Sequence, residues 1–361
     1  MDERTVAVIG GGNGGFAMAA NLALSGWDIN LYELPRFKEN ITPLLSEGGI
    51  HITGAAHTGF AKLSRITSDI NEAVENAYYI MVTTVALAHE EVAKIIAPAV
   101  REGHAIFILP GNGGSLIFAK AFREKGITTK VYIAEALTLP YACRKTSLTS
   151  VNVSRMLGKN PLAAFPSKDN EKILNIFQKF YPDSFLMTNV LEVAINNPNI
   201  ILHPGPSILN MARIEFSKGD FGLYQEGFSP SVMKIMDGLD KELMDIQKTL
   251  GFPVLSYKKL FEMRYEKPFE EQFGFMRKLG NKGPFNVNTR YITEDVPVGM
   301  ALVASLGIFL SVPTPTFDSI ISLSCLMSET NYWDEGRTLR KLGLSSLNLS
   351  ELANYLESGR Y

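Results

Sequence analysis

The chain has 361 residues, 46% hydrophobic and 20% charged, which is globular material long enough for two hydrophobic cores; this excludes a disordered, collagenous or disulfide-scaffold protein. Its formal net charge of -2 leaves no summed positive field, so neither a nucleic acid nor a membrane surface is expected as a partner. The two cysteines, Cys143 and Cys325, lack metal-site spacing and read as buried thiols, with no metal expected.

The N-terminus, Met1-Asp2-Glu3-Arg4, leads straight into a strand without the basic and apolar regions of a signal peptide, so the expected compartment is the cytoplasm. Short β-branched runs at residues 5–9, 28–32, 78–82, 105–109 and 130–134 read as strands. Apolar positions at helical spacing across residues 15–25 and 89–100 read as helices between them. Such alternation predicts an α/β fold with an N-terminal Rossmann-type, mostly parallel sheet.

From about residue 185 the alternation stops. Residues 190–361 read as successive helices broken at Pro206, Pro230, Pro253, Pro284 and Pro313, giving a second, mainly α-helical domain. The expected division is a dinucleotide-binding domain over 1–185 and a helical substrate and catalytic domain over 186–361. No Gly/Ser linker separates them, which suggests packed domains with a cleft. The apolar stretch 296–312 is interrupted by Pro297, Gly299, Ser305, Gly307 and Ser311, and reads as a buried helix rather than a membrane span.

Gly10, Gly12 and Gly15 form a G-x-G-x-x-G directly after the first strand and at the start of a helix. Gly10 permits a tight turn, Gly12 lets backbone approach a pyrophosphate, and Gly15 allows close helix–strand packing. The helix N-terminus, with Asn13 and Gly14 in the same loop, supplies amide donors and positive dipole. Glu33 ends the next strand 18 residues after Gly15, where a carboxylate would accept from ribose hydroxyls and repel a 2′-phosphate. Arg36 and Lys38 follow it and could pair with that phosphate, so NAD is favoured and NADP stays open. The glycine turn at residues 109–115 and the turn at 82–85 read equally as cofactor-facing edges or as plain turns.

In the second half, Asn199 and His203 would share a helix face at i, i+4. Arg290 and Asp295 stand five apart before the apolar helix. Histidine suits proton transfer near neutral pH, a carboxylate orients its ring, and arginine's planar fork suits a substrate carboxylate. The same residues also read as a core histidine and a helix-start cluster, and spacing alone leaves the two readings level.

The Gly10–Gly15 loop, the segment from Asn199 to His203-Pro204, and Arg290-Tyr291-Ile292-Thr293-Glu294-Asp295-Val296-Pro297 together resemble the opine dehydrogenase (octopine/nopaline dehydrogenase) family, over essentially the whole chain. That resemblance implies NAD(P)H-dependent reductive condensation of an amino acid with an α-keto acid. It implies His203 as general acid/base, Asp295 as its dyad partner, Arg290 as the holder of the amino acid's carboxylate and Asn199 as a helper. Two alternatives remain. A ketopantoate reductase-like or 2-hydroxyacid dehydrogenase would typically use a lysine at the domain junction, and none lies between Lys179 and Lys218. A nicotinamide-binding protein without turnover would retain these residues by coincidence. Apolar helices at 297–310 and 317–327 leave a homodimer open.

Overall fold

The computed structural model describes residues 2–278 and 282–360 and divides into two compact units. The first runs to Val193 and takes in the chain from Asn354 onward; the second is Ala194–Ala353. The sequence reading placed the division at 185 and gave everything beyond to the helical domain. The chain instead returns at its end to the first unit, where Tyr355 packs on Phe165, ring centroids 5.0 Å apart, and Lys168 Nζ donates to the Ser358 carbonyl.

In the first unit the strands are β1 (Asp2–Ile9), β2 (Asp28–Tyr32), β3 (Gly49–Gly54), β4 (Gly59–Lys62), β5 (Arg65–Thr67), β6 (Ala77–Val82), β7 (Ala105–Ile108), β8 (Tyr132–Ala136), β9 (Tyr141–Lys145), β10 (Ser150–Met156), β11 (Pro161–Phe165) and β12 (Phe185–Leu186). Eight of them form one sheet in the order β12-β11-β8-β7-β6-β1-β2-β5. All its pairs are parallel except β8 with β11.

Side chains alternate across this sheet, as the period of two requires. Val6, Val8, Ile29, Leu31, Met81 and Phe107 enter one core cluster, while Ala7, Ile9, Ile80, Val82, Ile106 and Ile108 enter another. Both faces are thus covered, which explains why the strands read as continuous apolar runs.

Two expected elements shift. The last strand, expected over 130–134, is β8 at Tyr132–Ala136, and the helix expected over 89–100 is α-helical only over His89–Ile96 before a 3-10 turn, Ala97–Ala99, containing Pro98.

The sequence reading missed a second sheet, ordered β4-β3-β10-β9. Its Ile50, Ile52, Ala61, Val151 and Val153 share a core cluster with Phe16, Ala17, Met18, Ala19, Ala20 and Leu22 of α1 (Asn13–Leu24). A helix apolar all round is a helix buried on all sides, and α1 finds apolar partners on both sheets. The cysteines correct another expectation: both are only partly buried, and Cys143 on β9 donates to the Asn13 carbonyl at 3.3 Å.

The second unit is helical. It includes α2 (Asn199–Leu202), α3 (Pro204–Leu209), α4 (Leu223–Glu226), α5 (Pro230–Thr249), α6 (Arg290–Thr293), a π-helical turn Val296–Met300, α7 (Ala301–Leu310) and α8 (Pro315–Ser328). Pro253, Pro284 and Pro313 fall in connections as expected. Pro230 begins a helix, and Pro206 sits within the first turn of α3 rather than breaking it. There a proline's missing N–H costs no helical bond. The stretch Arg290–Leu310 has the length and apolarity to cross a membrane, but 78% of its most apolar window is buried inside the protein.

Candidate active site

The glycine loop is built around a close approach. Gly10 adopts φ +116°, and a Cβ on Gly15 would lie 1.6 Å from the Gly10 carbonyl oxygen, so only glycine fits at Gly15. A Cβ on Gly12 would meet nothing within 4 Å, and Gly12 starts α1 with no side-chain cap on the first-turn amides. This open space in front of uncapped amides is what a pyrophosphate needs. Asn13 Oδ1 accepts from the Lys145 amide at 2.8 Å, tying the loop to β9, and Leu139 closes over Gly14.

Glu33 is 5% exposed, and its carboxylate accepts from the amides of Gly11 (3.0 Å) and Leu34 (2.8 Å) and from Asn40 Nδ2 (3.0 Å). The structure therefore brings Glu33 to the glycine loop. Lys145 Nζ lies 3.7 Å from the Phe16 ring centroid and donates to the Asn40 carbonyl. Burial pushes the Lys145 ammonium's pKa down, and the Glu33 charge opposes that. Arg36 does not join this group: its guanidinium pairs with Glu91 at 2.5 Å.

The other two turns resolve differently. At 109–115 the fully buried Glu135 accepts from the amides of Gly113 and Ser115 and from Ser115 Oγ, and a Cβ on Gly111 would strike its side chain at 2.2 Å. This turn's glycines make room for a buried carboxylate. At 82–85, Thr83 Oγ1 donates to the Ile9 carbonyl, and Thr83 and Thr84 pack against Gly10.

In the second unit, the Asn197 side chain accepts from the Asn199 amide at 3.1 Å and starts α2. Pro204 starts α3 one residue after α2's last turn, so His203 sits at the junction of two short helices. Its Nδ1 lies 2.8 Å from Asp295 Oδ2 and its Nε2 3.0 Å from Tyr224 Oη. Tyr291 stacks on the imidazole with centroids 4.1 Å apart and planes at 26°. The His203 and Asp295 side chains are 11% and 10% exposed. Burial raises the Asp295 carboxyl's pKa above its ordinary value, and the hydrogen bond and charge of His203 oppose that rise.

Asp295 is placed by the π-helical turn that follows it, and Gly299 in that turn lets it touch α2: a Cβ there would come within 2.2 Å of Ile200. Arg290, near enough to Asp295 for their charges to interact, uses Nε to bond Glu294 at 2.6 Å. Glu294 is buried at 5% side-chain exposure, whereas the Arg290 side chain is 68% exposed. Asn199's carbonyl accepts from the His203 amide at 3.0 Å. Sequence reasoning missed Tyr224 altogether, and it noted Tyr291 only as part of a motif; neither tyrosine stands at a spacing that marks it.

A Rossmann-type unit with an open glycine loop and a helical unit holding an acid-paired histidine, with an exposed arginine near its carboxylate partner, define an NAD(P)-dependent dehydrogenase. The family profile described as "NAD/NADP octopine/nopaline dehydrogenase, alpha-helical domain" matches residues 186–328. An opine dehydrogenase of Arthrobacter sp. (strain 1C) is 34% identical across 99% of this chain and 100% of its own length. The protein ocs of Agrobacterium tumefaciens (strain Ach5) is 22% identical over 95% of both chains. Octopine dehydrogenase, solved with NADH and pyruvate, superposes with a TM-score of 0.76 at 19% identity, covering 99% of this chain and 98% of its own. The chain belongs to the opine dehydrogenase family. It is an NAD(P)-dependent oxidoreductase of the opine dehydrogenase type.

Proposed function

We propose that the enzyme joins an amino acid to an α-keto acid by reductive condensation, with His203 the general acid/base of that reaction and Asp295 its dyad partner. The observation that carries the reading is the buried 2.8 Å contact between His203 Nδ1 and Asp295 Oδ2. An ionised carboxylate only accepts, so Nδ1 is the donor and Nε2 is left to exchange protons. The Asp295 charge stabilises the imidazolium as it forms, and Tyr291 restricts the ring's rotation.

Arg290, anchored through Nε, presents the rest of its fork to the amino acid's α-carboxylate. Asn199 offers an amide to the substrate from the helix that ends at His203. The cofactor, when bound, supplies the hydride that reduces the imine carbon. Gly10, Gly12, Asn13, Gly14 and Gly15 would hold its pyrophosphate at the start of α1, with Glu33 beside the adenosine ribose. Glu33 favours NAD by disfavouring a 2′-phosphate, and Arg36, already paired with Glu91, gives NADP little compensation.

The test is NADH and NADPH oxidation with pyruvate or another keto acid, with and without a panel of amino acids, and mass spectrometry of the products. Oxidation that needs both substrates and yields the reduced condensation product is expected. Equal oxidation with keto acid alone would place the enzyme with hydroxyacid-type reductases.

A further inference from the structure

We propose that Tyr224 carries the proton between His203 and the substrate. The proposal rests on His203 being the acid/base. With Nδ1 committed to Asp295, every proton entering or leaving the imidazole passes through Nε2, and the group there is the Tyr224 hydroxyl at 3.0 Å. Asp295 and His203 are each 8% exposed, so the Tyr224 hydroxyl is the contact the buried pair makes on its Nε2 side.

The hydroxyl is held in place by its ring. Tyr224 stacks on Phe228 with planes at 16° and centroids 5.4 Å apart, and Phe228 packs in turn on Phe273. Burial, with the charges of Tyr291 and Asp295, keeps the phenol protonated well above its ordinary range. Tyr224 thus has a proton to give and stays neutral between transfers.

The step that needs it is loss of water from the carbinolamine formed by amine and keto acid. Tyr224 Oη–H protonates the departing hydroxyl, the carbon–oxygen bond breaks, and the nitrogen lone pair closes the C=N bond. His203 Nε2–H returns a proton to Oη. Across the step, the imidazolium loses one proton and one water leaves; the reverse sequence hydrates the iminium.

Tyr224→Phe keeps the ring and its stack while removing the relay. We expect kcat to fall by roughly 10-fold or more, with NADH affinity by fluorescence titration and amino-acid KM each within about twofold of wild type. In a His203→Ala background the same substitution should cost nothing further, because both residues serve one transfer. A kcat within about twofold of wild type, or an equal loss in both backgrounds, would overturn the relay. Wild-type turnover by His203→Ala alone would overturn the His203 assignment, and the relay with it.

Discussion

The imidazole of His203 has a partner on each nitrogen and a tyrosine on one face, so its orientation is fixed before any substrate arrives. Pre-organisation of this kind makes the charge of Asp295 separable from its shape. Asp295→Asn preserves the volume and removes the charge that balances an imidazolium; turnover should drop about 10²-fold with NADH affinity unchanged, and steady-state kinetics beside a binding titration would show it. Unchanged kcat would reduce Asp295 to packing. Arg290 needs a gentler probe, since Arg290→Ala would also strip a partner from buried Glu294. Arg290→Lys keeps the charge and loses the fork. The amino-acid KM should then rise roughly 10-fold or more while the KM for the keto acid holds, and equal rises in both would argue against the carboxylate role.

At the scale of elements, glycines only three residues apart do different jobs. A methyl on Gly12 meets no protein atom, whereas one on Gly15 falls 1.6 Å from a carbonyl oxygen. Gly12→Ala should therefore melt like wild type yet bind NADH at least about 10-fold more weakly, because the methyl takes the space left for the pyrophosphate. Gly15→Ala should cost about 3 kcal/mol of stability in denaturant titration. Wild-type NADH affinity in the first variant would move the cofactor away from this loop.

The strand, loop, helix and acid of this region were legible because they lie together in sequence, and a buried parallel sheet writes itself as apolar runs. The second sheet was not: β3 and β10 pair His51 with Ser150 and Ile52 with Val151, short strands that meet only through the long-range fold. The catalytic constellation was half legible. Asp295 lies 92 residues from His203, so spacing left the dyad level with a capping cluster and only family resemblance chose between them. Tyr224 reaches His203 from another helix with no local pattern to announce it.

At the scale of the whole molecule, the two units should respond to acid in opposite senses. His104 in the first unit is fully buried, its Nδ1 accepting from the Arg101 amide, and burial pushes its pKa from 6.5 down to about 4. The folded unit keeps it neutral while the unfolded chain protonates, so its stabilising contribution is whole above pH 6.5 and drains away toward about pH 4, up to about 3 kcal/mol in all. Asp240 in the second unit is also buried, and desolvation raises its pKa from 3.8 to about 6 against the opposing Tyr257 N–H bond. Its folded form prefers the proton, so its contribution is full below pH 3.8 and lost as pH rises through about 6. Lowering the pH from 6.5 to about 5 leaves ordinary exposed carboxylates ionised and separates these two effects. Hydrogen exchange across that window should show protection falling in β6, β7 and β8 and rising in α5. His104→Asn should flatten the first trend alone and Asp240→Asn the second alone. If either substitution flattens both, the units open as one cooperative body and neither residue governs a unit of its own.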